Sequence, residues 1–306
     1  MNRRELIRWA VAAPLVLRSF RLEREAPLFR ISLAEWSFHR CLWKQQKPHL
    51  DHLDFPKRAR RHGIDAVEYV STFFDKEKGT TTGYLEELRK RCAGEGVESV
   101  LIMVDGEGAL GDPDEKVRVQ AVENHRKWLV AAKHLGCHSI RVNARSRGPR
   151  EEQAKLAADG LARLAKLGGE FDLNVIVENH GGFSSDGSWL SGVIRSVGDP
   201  RLGTLPDFGN FHIRGDIWYD RYKGVKEMMP FAKGVSAKSH DFDATGNETH
   251  TDYRKMLRIV LAAGYHGRIG IEYEGGKLSE TEGVNKTKAL LETVRKEIAA
   301  ERATPR

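Results

Sequence analysis

Short runs of apolar and β-branched residues alternate along the chain with longer segments in which apolar residues recur every three or four positions. The short runs have the length of strands, and the longer segments have the period of amphipathic helices. The clearest helical segments are 114–135, 151–168 and 249–263. We predict eight strands, at residues 29–34, 64–70, 99–104, 139–142, 174–177, 202–206, 234–237 and 268–273.

Glycine and proline mark the ends of these elements. Gly63, Gly136 and Gly264 come just before strands, where a left-handed residue closes a helix. Asp112-Pro113 and Gly148-Pro149 stand where helices should begin. Eight strands that alternate with helices over about 270 residues predict an α/β protein with a (β/α)8 TIM-barrel fold in a single domain. A doubly wound sheet usually has a glycine-rich turn after its first strand, and residues 34–39 (AEWSFH) provide none.

Composition narrows the class of protein. Of the 306 residues, 40% are hydrophobic and 30% are charged, so the chain can bury a full core and intrinsic disorder is excluded. No apolar stretch approaches the roughly 18 residues that a membrane span needs. Cys41, Cys92 and Cys137 are widely spaced, which gives neither a disulfide framework nor a CxxC metal motif.

The amino-terminal segment is more basic than the rest of the chain. Residues 1–28 contain six arginines and three glutamates, so they contribute +3 of the net charge of +7. The remaining +4 over 278 residues is ordinary and gives no reason to expect a nucleic-acid partner. We therefore divide the chain into a leader (1–28), a barrel (29–300) and a tail (301–306).

The leader resembles a twin-arginine export signal. Arg3-Arg4 precede the short apolar segment 9–17, as in such signals. The resemblance implies export to the periplasm. Arg18, Arg21 and Arg24 follow the apolar segment, and no Ala-x-Ala cleavage site is visible. The alternative is therefore a basic amphipathic leader that stays attached to a cytoplasmic protein.

Four residues with metal-ligating side chains come at the ends of successive strands in the second half of the chain. They are separated by 29, 33 and 32 residues, about one strand–helix unit each: Glu178, Asp207, His240 and Glu272. The carboxyl ends of barrel strands meet at one mouth, where active sites are built. Three carboxylates and one imidazole suit a divalent ion such as Mn, Mg, Co or Zn. The pattern predicts a site for one such ion.

These residues resemble the metal site of the xylose-isomerase-like TIM barrels, and the resemblance covers about residues 29–298. Segments similar to those of its bacterial sugar phosphate isomerase/epimerase group are SLAEWS (32–37), VENHGG (177–182), PDFGN (206–210) and KSHDFD (238–243). The resemblance implies that Glu178, Asp207, His240 and Glu272 hold one divalent ion. It further implies that Glu178 and Glu272 act as acid and base on opposite faces of a sugar, and it allows a homodimer.

The implied chemistry is proton removal beside a carbonyl. A metal bound to the carbonyl and hydroxyl oxygens would stabilise the enediolate while one glutamate removes the proton and the other returns it. Lys238 lies two residues before His240, so in a regular strand both side chains point into the mouth. We include Lys238 among the candidate catalytic residues, where it would steady an oxyanion or simply pair with Glu272.

Six further residues are candidates for substrate binding, with packing or helix capping as the alternative for each. An indole suits stacking on a sugar face, and amides, carboxylates and imidazoles suit hydroxyl groups. Asn210 stands where ketose 3-epimerases often have a histidine, which puts the identity of the epimerase reaction in question. The set is Trp36, Glu68, Asn143, His180, Asn210 and Asp243.

We therefore expect a divalent-metal-dependent sugar isomerase or epimerase that acts on a small carbohydrate. A lyase or hydratase on 3-keto sugars would use the same residues. An apurinic endonuclease is disfavoured, because the second and third strands end in Glu68 and Val104-Asp105 and supply no histidine. A sugar-binding barrel without catalysis is disfavoured by the presence of both glutamates.

Overall fold

The computed structural model describes residues 26–43 and 49–303. Most of the predicted leader, residues 1–25, lies outside the described residues, so export remains a prediction. Among the residues that are described, no helix is both long and apolar enough to cross a membrane.

Residues 26–43 and 49–303 contain ten strands, and eight of them form one sheet in which every neighbouring pair is parallel. All eight predicted strands are confirmed. The other two, β7 and β8, form a short antiparallel hairpin that the sequence analysis did not predict. The strands are β1 (Arg30–Ala34), β2 (Ala66–Val70), β3 (Glu98–Met103), β4 (Ser139–Val142), β5 (Asn174–Glu178), β6 (Leu202–Leu205), β7 (His212–Arg214), β8 (Ile217–Trp218), β9 (Val235–Ser239) and β10 (Arg268–Tyr273).

The sheet curls until its two edge strands meet. Its order is β6-β5-β4-β3-β2-β1-β10-β9. Between the edges, the Lys233 amide donates to the Thr204 carbonyl over 3.0 Å, and the Ser236 amide donates to the Pro206 carbonyl over 3.0 Å. The predicted (β/α)8 barrel is confirmed.

Helices surround the barrel: α1 (His39–Leu42), α2 (Phe55–Arg61), α3 (Thr82–Glu95), α4 (Glu115–Asn124), α5 (Arg126–Leu135), α6 (Arg150–Glu170), α7 (Gly187–Val197), α8 (Arg221–Met228), α9 (Tyr253–Ala262) and α10 (Glu280–Ala303). The segment predicted as one helix over 114–135 is two helices that meet at His125. Gly136 closes α5 with φ +79°, in the left-handed conformation expected of it.

The alternation of side chains along each barrel strand separates two environments. In β5, Val175 and Val177 join the large apolar cluster that packs against the helices. Ile176 belongs to a second, smaller apolar cluster on the other side of the strands. Because side chains alternate with period two, Glu178 has the same orientation as Ile176. The strands thus place apolar residues against the helices and, near their carboxyl ends, polar residues inside the barrel.

Candidate active site at the carboxyl end of the barrel

Three of the four predicted metal ligands lie together inside the barrel. Glu178 ends β5, Asp207 follows β6, and Glu272 lies in β10. Each contributes a carboxylate oxygen, and these oxygens lie within 4.8 Å of one another. All three side chains are buried. We call these residues the carboxylate centre.

Lys238 points into this centre and pairs with Glu272. The two residues are direct partners in the parallel β9–β10 register, so their side chains emerge on the same face. Lys238 Nζ lies 2.9 Å from Glu272 Oε1 and 3.2 Å from Glu274 Oε1. Ser236, two residues earlier on the same face, donates to Asp207 Oδ2 over 2.7 Å and lies 3.2 Å from Glu272 Oε2.

A second buried cation, Arg141 of β4, lies against Glu178. Arg141 Nε is 2.7 Å from Glu178 Oε2, and Arg141 Nη1 donates to Asp105 Oδ1 over 3.0 Å. Asn210 donates from Nδ2 to Glu178 Oε1 over 2.9 Å. Asn210, predicted to bind substrate, therefore directly orients one of the predicted catalytic glutamates.

Backbone amides hold Asp207. The amides of Gly209 and Asn210 donate to Asp207 Oδ1, each over 2.8 Å. The amide side chain of Asn179 fixes the same turn from outside: its Nδ2 donates to the carbonyls of Asp207 and Asn210, and its Oδ1 accepts from the Asp207 amide. Asp207 is thus oriented by the turn that follows it.

Burial and neighbouring charges separate the pKa values of the two glutamates. Burial raises the pKa of Glu178 to about 7, although Arg141 opposes this. Burial also acts to raise the pKa of Glu272, but Lys238 outweighs it and holds this pKa below its ordinary value. Of the two, Glu272 is therefore the carboxyl group that ionises more readily, and Glu178 the one that holds a proton more readily.

Burial and neighbouring charges also shift the pKa values of Asp207 and Lys238. Burial raises the pKa of Asp207 to about 7, and Lys238 opposes it. Burial acts to lower the pKa of Lys238, but Glu272 and Asp207 outweigh it and hold this pKa well above its ordinary value. Lys238 therefore stays an ammonium and acts as a fixed positive charge.

His240, the fourth predicted metal ligand, does not join the carboxylate centre. Strand β9 ends at Ser239, so the alternation that directs Lys238 inward does not extend to His240. The His240 amide donates to Glu248 Oε1 over 3.2 Å, and its ring lies edge-on to that of His250 at 5.0 Å. His240, Glu248 and His250 form a separate group with ligand atoms within 4.8 Å of one another.

Three predicted substrate-binding residues, which follow or lie in β2, β4 and β5, lie near the centre. Glu68 is buried, accepts from Ser32 Oγ over 2.5 Å, and has a pKa that burial raises to about 7. Asn143 donates to Asp105 Oδ1 over 2.6 Å. Burial lowers the pKa of His180, and Arg141 lowers it further, so this imidazole is neutral at pH 7.

The other two predicted substrate-binding residues differ in position. Trp36 follows β1, and its Nε1 donates to Glu274 Oε1, which places the indole beside the Lys238 ion pair. Asp243 is exposed and is not brought to the centre. Its Oδ1 accepts from the Thr245 and Asn247 amides, both over 2.9 Å, so Asp243 closes its own turn.

The sequence analysis missed three residues that contact the centre. Arg141 and Ser236 were counted among the residues of strands, and Glu274 follows Glu272 by two positions. The alternation of side chains along a strand could have identified all three. Arg141, Ser236 and Glu274 each lie two positions from a residue that was predicted to belong to the site, namely Asn143, Lys238 and Glu272.

Comparison with known proteins assigns the family. The family model described as "Xylose isomerase-like TIM barrel" matches residues 56–297. This chain belongs to the xylose isomerase-like TIM barrel family. A search of curated proteins found no significant match.

Solved structures share the fold of this xylose isomerase-like barrel at low sequence identity. An L-ribulose 3-epimerase is 16% identical with a TM-score of 0.69, over 90% of this chain and 100% of the other. A 3-keto-D-glucoside 4-epimerase from E. coli is 15% identical with a TM-score of 0.65, over 87% and 99%. A xylose isomerase-like protein from Mycobacterium smegmatis, in complex with magnesium, is 16% identical with a TM-score of 0.65, over 88% and 97%.

The family resemblance implies a divalent ion, and the side chains that would bind it determine whether such an ion fits this chain. The carboxylate centre has the spacing of ligands to one ion. However, two buried cations already lie against its glutamates: Arg141 Nε is 2.7 Å from Glu178 Oε2, and Lys238 Nζ is 2.9 Å from Glu272 Oε1. Asn210 donates to Glu178 Oε1, and both oxygens of Asp207 accept hydrogen bonds. The predicted imidazole ligand, His240, is not grouped with these carboxylates, and its Nε2 lies 3.9 Å from Glu274 Oε2 instead. This donor set suits a divalent ion poorly, and the chemistry below is derived from the chain's own residues.

Proposed function

We propose that this xylose isomerase-like barrel is a carbohydrate isomerase or epimerase that removes a proton from the carbon beside a carbonyl. The observation that carries the proposal is a pair of buried glutamates, Glu178 and Glu272, that lie in one carboxylate centre with a buried ammonium 2.9 Å from Glu272. Burial raises the pKa of Glu178, whereas Lys238 lowers the pKa of Glu272. A pair of carboxyl groups with separated pKa values can serve as acid and base. The sugar epimerases among the structures of this fold support the substrate class.

Each residue has a distinct role in the proposed reaction. Glu272 is ionised and accepts the proton. Glu178, with a pKa of about 7, holds a proton that it returns to carbon. Return to the same carbon from the other face is epimerisation. Return to the former carbonyl carbon, with the proton of the neighbouring hydroxyl group passing to the former carbonyl oxygen, is isomerisation.

Lys238 supplies the positive charge in this proposal. As the proton leaves, negative charge develops on the substrate's carbonyl oxygen. A fixed ammonium in a buried site stabilises such charge more strongly than it would in water. Ser236 and Asn210 position the two glutamates through hydrogen bonds to Glu272 and Glu178.

The experiment is the exchange of substrate hydrogen with solvent. The full chain is incubated in heavy water with free ketoses, aldoses, sugar phosphates and 3-keto glycosides, and the substrate is analysed by mass spectrometry and NMR. We expect deuterium at one carbon of one substrate class. The product distinguishes isomerase, epimerase and lyase reactions. Absence of exchange with every class would count against the proposal.

Matched variants assign the exchange to the glutamates. We expect Glu178→Gln and Glu272→Gln each to slow exchange by about 10²- to 10⁴-fold, the range for loss of a general acid or base. Glu151→Gln, an exposed glutamate in the first turn of α6, is the control and should leave the rate unchanged. If all three variants exchanged substrate hydrogen at the same rate, the exchange could not be assigned to Glu178 and Glu272.

A further inference from the structure

We propose that the ammonium of Lys238 is the resident cation of the carboxylate centre and takes the place of the divalent ion that the family resemblance implies. The protein would then hold no divalent ion at Glu178, Asp207 and Glu272. This inference concerns which cation the centre holds, so it does not depend on the reaction proposed above.

The first argument is the position of the ammonium. Lys238 Nζ lies 2.9 Å from Glu272 Oε1, and the side chains of Lys238 and Glu272 are 3% and 5% exposed. Glu274 Oε1 lies 3.2 Å from the same nitrogen. An ion bound to Glu272 would have to displace an ammonium that is already desolvated and paired. Moving the lysine away would leave a buried charge without its partner, which is costly.

The second argument is the space in which the lysine lies. A Cβ added at Gly209 would come within 2.8 Å of Lys238 Cδ and 3.0 Å of its Cγ. Gly209 belongs to the turn that orients Asp207, and because it has no side chain it leaves room for the aliphatic part of Lys238. This packing fixes the ammonium beside the carboxylates.

The third argument is the occupancy of the carboxylate oxygens. Both oxygens of Asp207 accept hydrogen bonds, from the Gly209 and Asn210 amides and from Ser236. The oxygens of Glu178 are shared between Asn210 and Arg141. A divalent ion would have to share Asp207 and Glu178 with these donors and enter beside two buried cations, Arg141 and Lys238.

The experiment measures Mn²⁺ binding to the full chain by isothermal titration calorimetry and by the electron spin resonance of free Mn²⁺. A site at the carboxylate centre is defined as one that Glu178→Gln abolishes. We expect the wild type to show no such site, and Lys238→Met to gain one, with an affinity at least tenfold above the weakest binding that the titration detects. Lys90→Met, an exposed lysine of α3, is the matched control and should behave as the wild type.

Three outcomes separate the possibilities. A wild-type Mn²⁺ site that Glu178→Gln abolishes would overturn the proposal. So would a folded Lys238→Met variant that gains no site; if circular dichroism shows that this variant is unfolded, Lys238→Gln replaces it. Mn²⁺ that survives Glu178→Gln and is lost in His250→Ala belongs to the His240, Glu248 and His250 group, and the proposal then stands.

The metal titration and the hydrogen-exchange experiment test the two proposals independently of each other. Loss of the proposed function would appear as no exchange with any sugar, whatever the metal titration shows. Loss of this inference would appear as a Glu178-dependent Mn²⁺ site, whatever substrate is turned over.

Discussion

Arg141 Nε lies 2.7 Å from Glu178 Oε2, and both side chains are almost fully buried. Removing one member of such a pair leaves the other as an uncompensated charge, which typically costs about 3–5 kcal/mol. We predict that Arg141→Met lowers the free energy of unfolding by this amount at pH 8, where Glu178 would otherwise be ionised. Urea denaturation of the two proteins measures the difference.

A double variant separates the charge from the packing of the arginine. In Arg141→Met/Glu178→Gln no carboxylate remains at position 178 to be compensated, so we expect most of the loss to be recovered. If the two substitutions were simply additive, Arg141 would stabilise the fold through its packing or through Asp105, its other ion-pair partner.

Gly209→Ala tests the slot that holds Lys238, by which we mean the space beside Gly209 that the lysine side chain fills. The added Cβ would lie 2.8 Å from Lys238 Cδ, so the lysine or the turn must shift. We expect a loss of about 1–3 kcal/mol in the free energy of unfolding, as for other overpacked sites. We also expect at least tenfold slower solvent exchange, because the ammonium leaves its position beside Glu272. Denaturation and the exchange rate are the two measurements.

Gly192→Ala is the matched control for that substitution. Gly192 lies inside α7, and an added Cβ there meets nothing within 4 Å. Alanine favours a helix over glycine by up to about 1 kcal/mol, so this variant should be as stable as the wild type or more so. Equal losses in both glycine variants would show that the slot around Lys238 is not the cause.

Glu68 predicts a specific dependence of stability on pH. Burial raises its pKa from 4.5 to about 7, so the folded protein retains a proton that the unfolded chain has released. The stability from this proton is complete below pH 4.5 and is lost as the pH rises through 7. Glu68→Gln does not titrate, and its free energy of unfolding relative to the wild type should rise between pH 5 and pH 8.

The expected size of this rise is at most about 3 kcal/mol, since each pKa unit corresponds to about 1.4 kcal/mol. Urea denaturation of both proteins at the two pH values measures it. Glu77→Gln, an exposed glutamate, serves as the control and should show no such dependence. A difference between Glu68→Gln and the wild type that is the same at both pH values would contradict the raised pKa.

The strands and three members of the carboxylate centre were predictable because both depend on simple periods. Apolar runs at regular intervals gave the barrel, and one strand–helix unit between acidic residues brought Glu178, Asp207 and Glu272 together. The position of His240 was not predictable, because it depends on where β9 ends. A strand one residue longer would direct His240 inward beside Lys238.

Arg141 was missed for a different physical reason. Strand β4 has an arginine at its third position, which interrupts an otherwise apolar run. The sequence alone does not show which face of β4 lies against other charged side chains. The pairing of β4 with β5, in which Arg141 is the partner of Ile176, brings Glu178 to that face. The β9–β10 register places Lys238 beside Glu272, and its role toward an oxyanion stays a prediction.

Trp36 provides the last prediction, which rests on the proposed function. Its Nε1 donates to Glu274, which is also the second partner of Lys238. Its ring stacks on His39 with centroids 5.1 Å apart, and the side chain is only partly buried. An aromatic ring at the mouth of the barrel would pack on the apolar face of a sugar. The indole would thus have two separable roles, one in binding and one in positioning Glu274.

Two variants distinguish these roles. Trp36→Phe retains a ring but removes the N–H donor, so we expect kcat to fall while KM stays close to that of the wild type. Trp36→Leu removes both, and KM should also rise by roughly tenfold, equivalent to about 1.4 kcal/mol. Steady-state kinetics on the substrate found by deuterium exchange measures both constants. If the two variants had the same kcat and KM, the ring would have no role in binding, and the hydrogen bond to Glu274 would be its whole contribution.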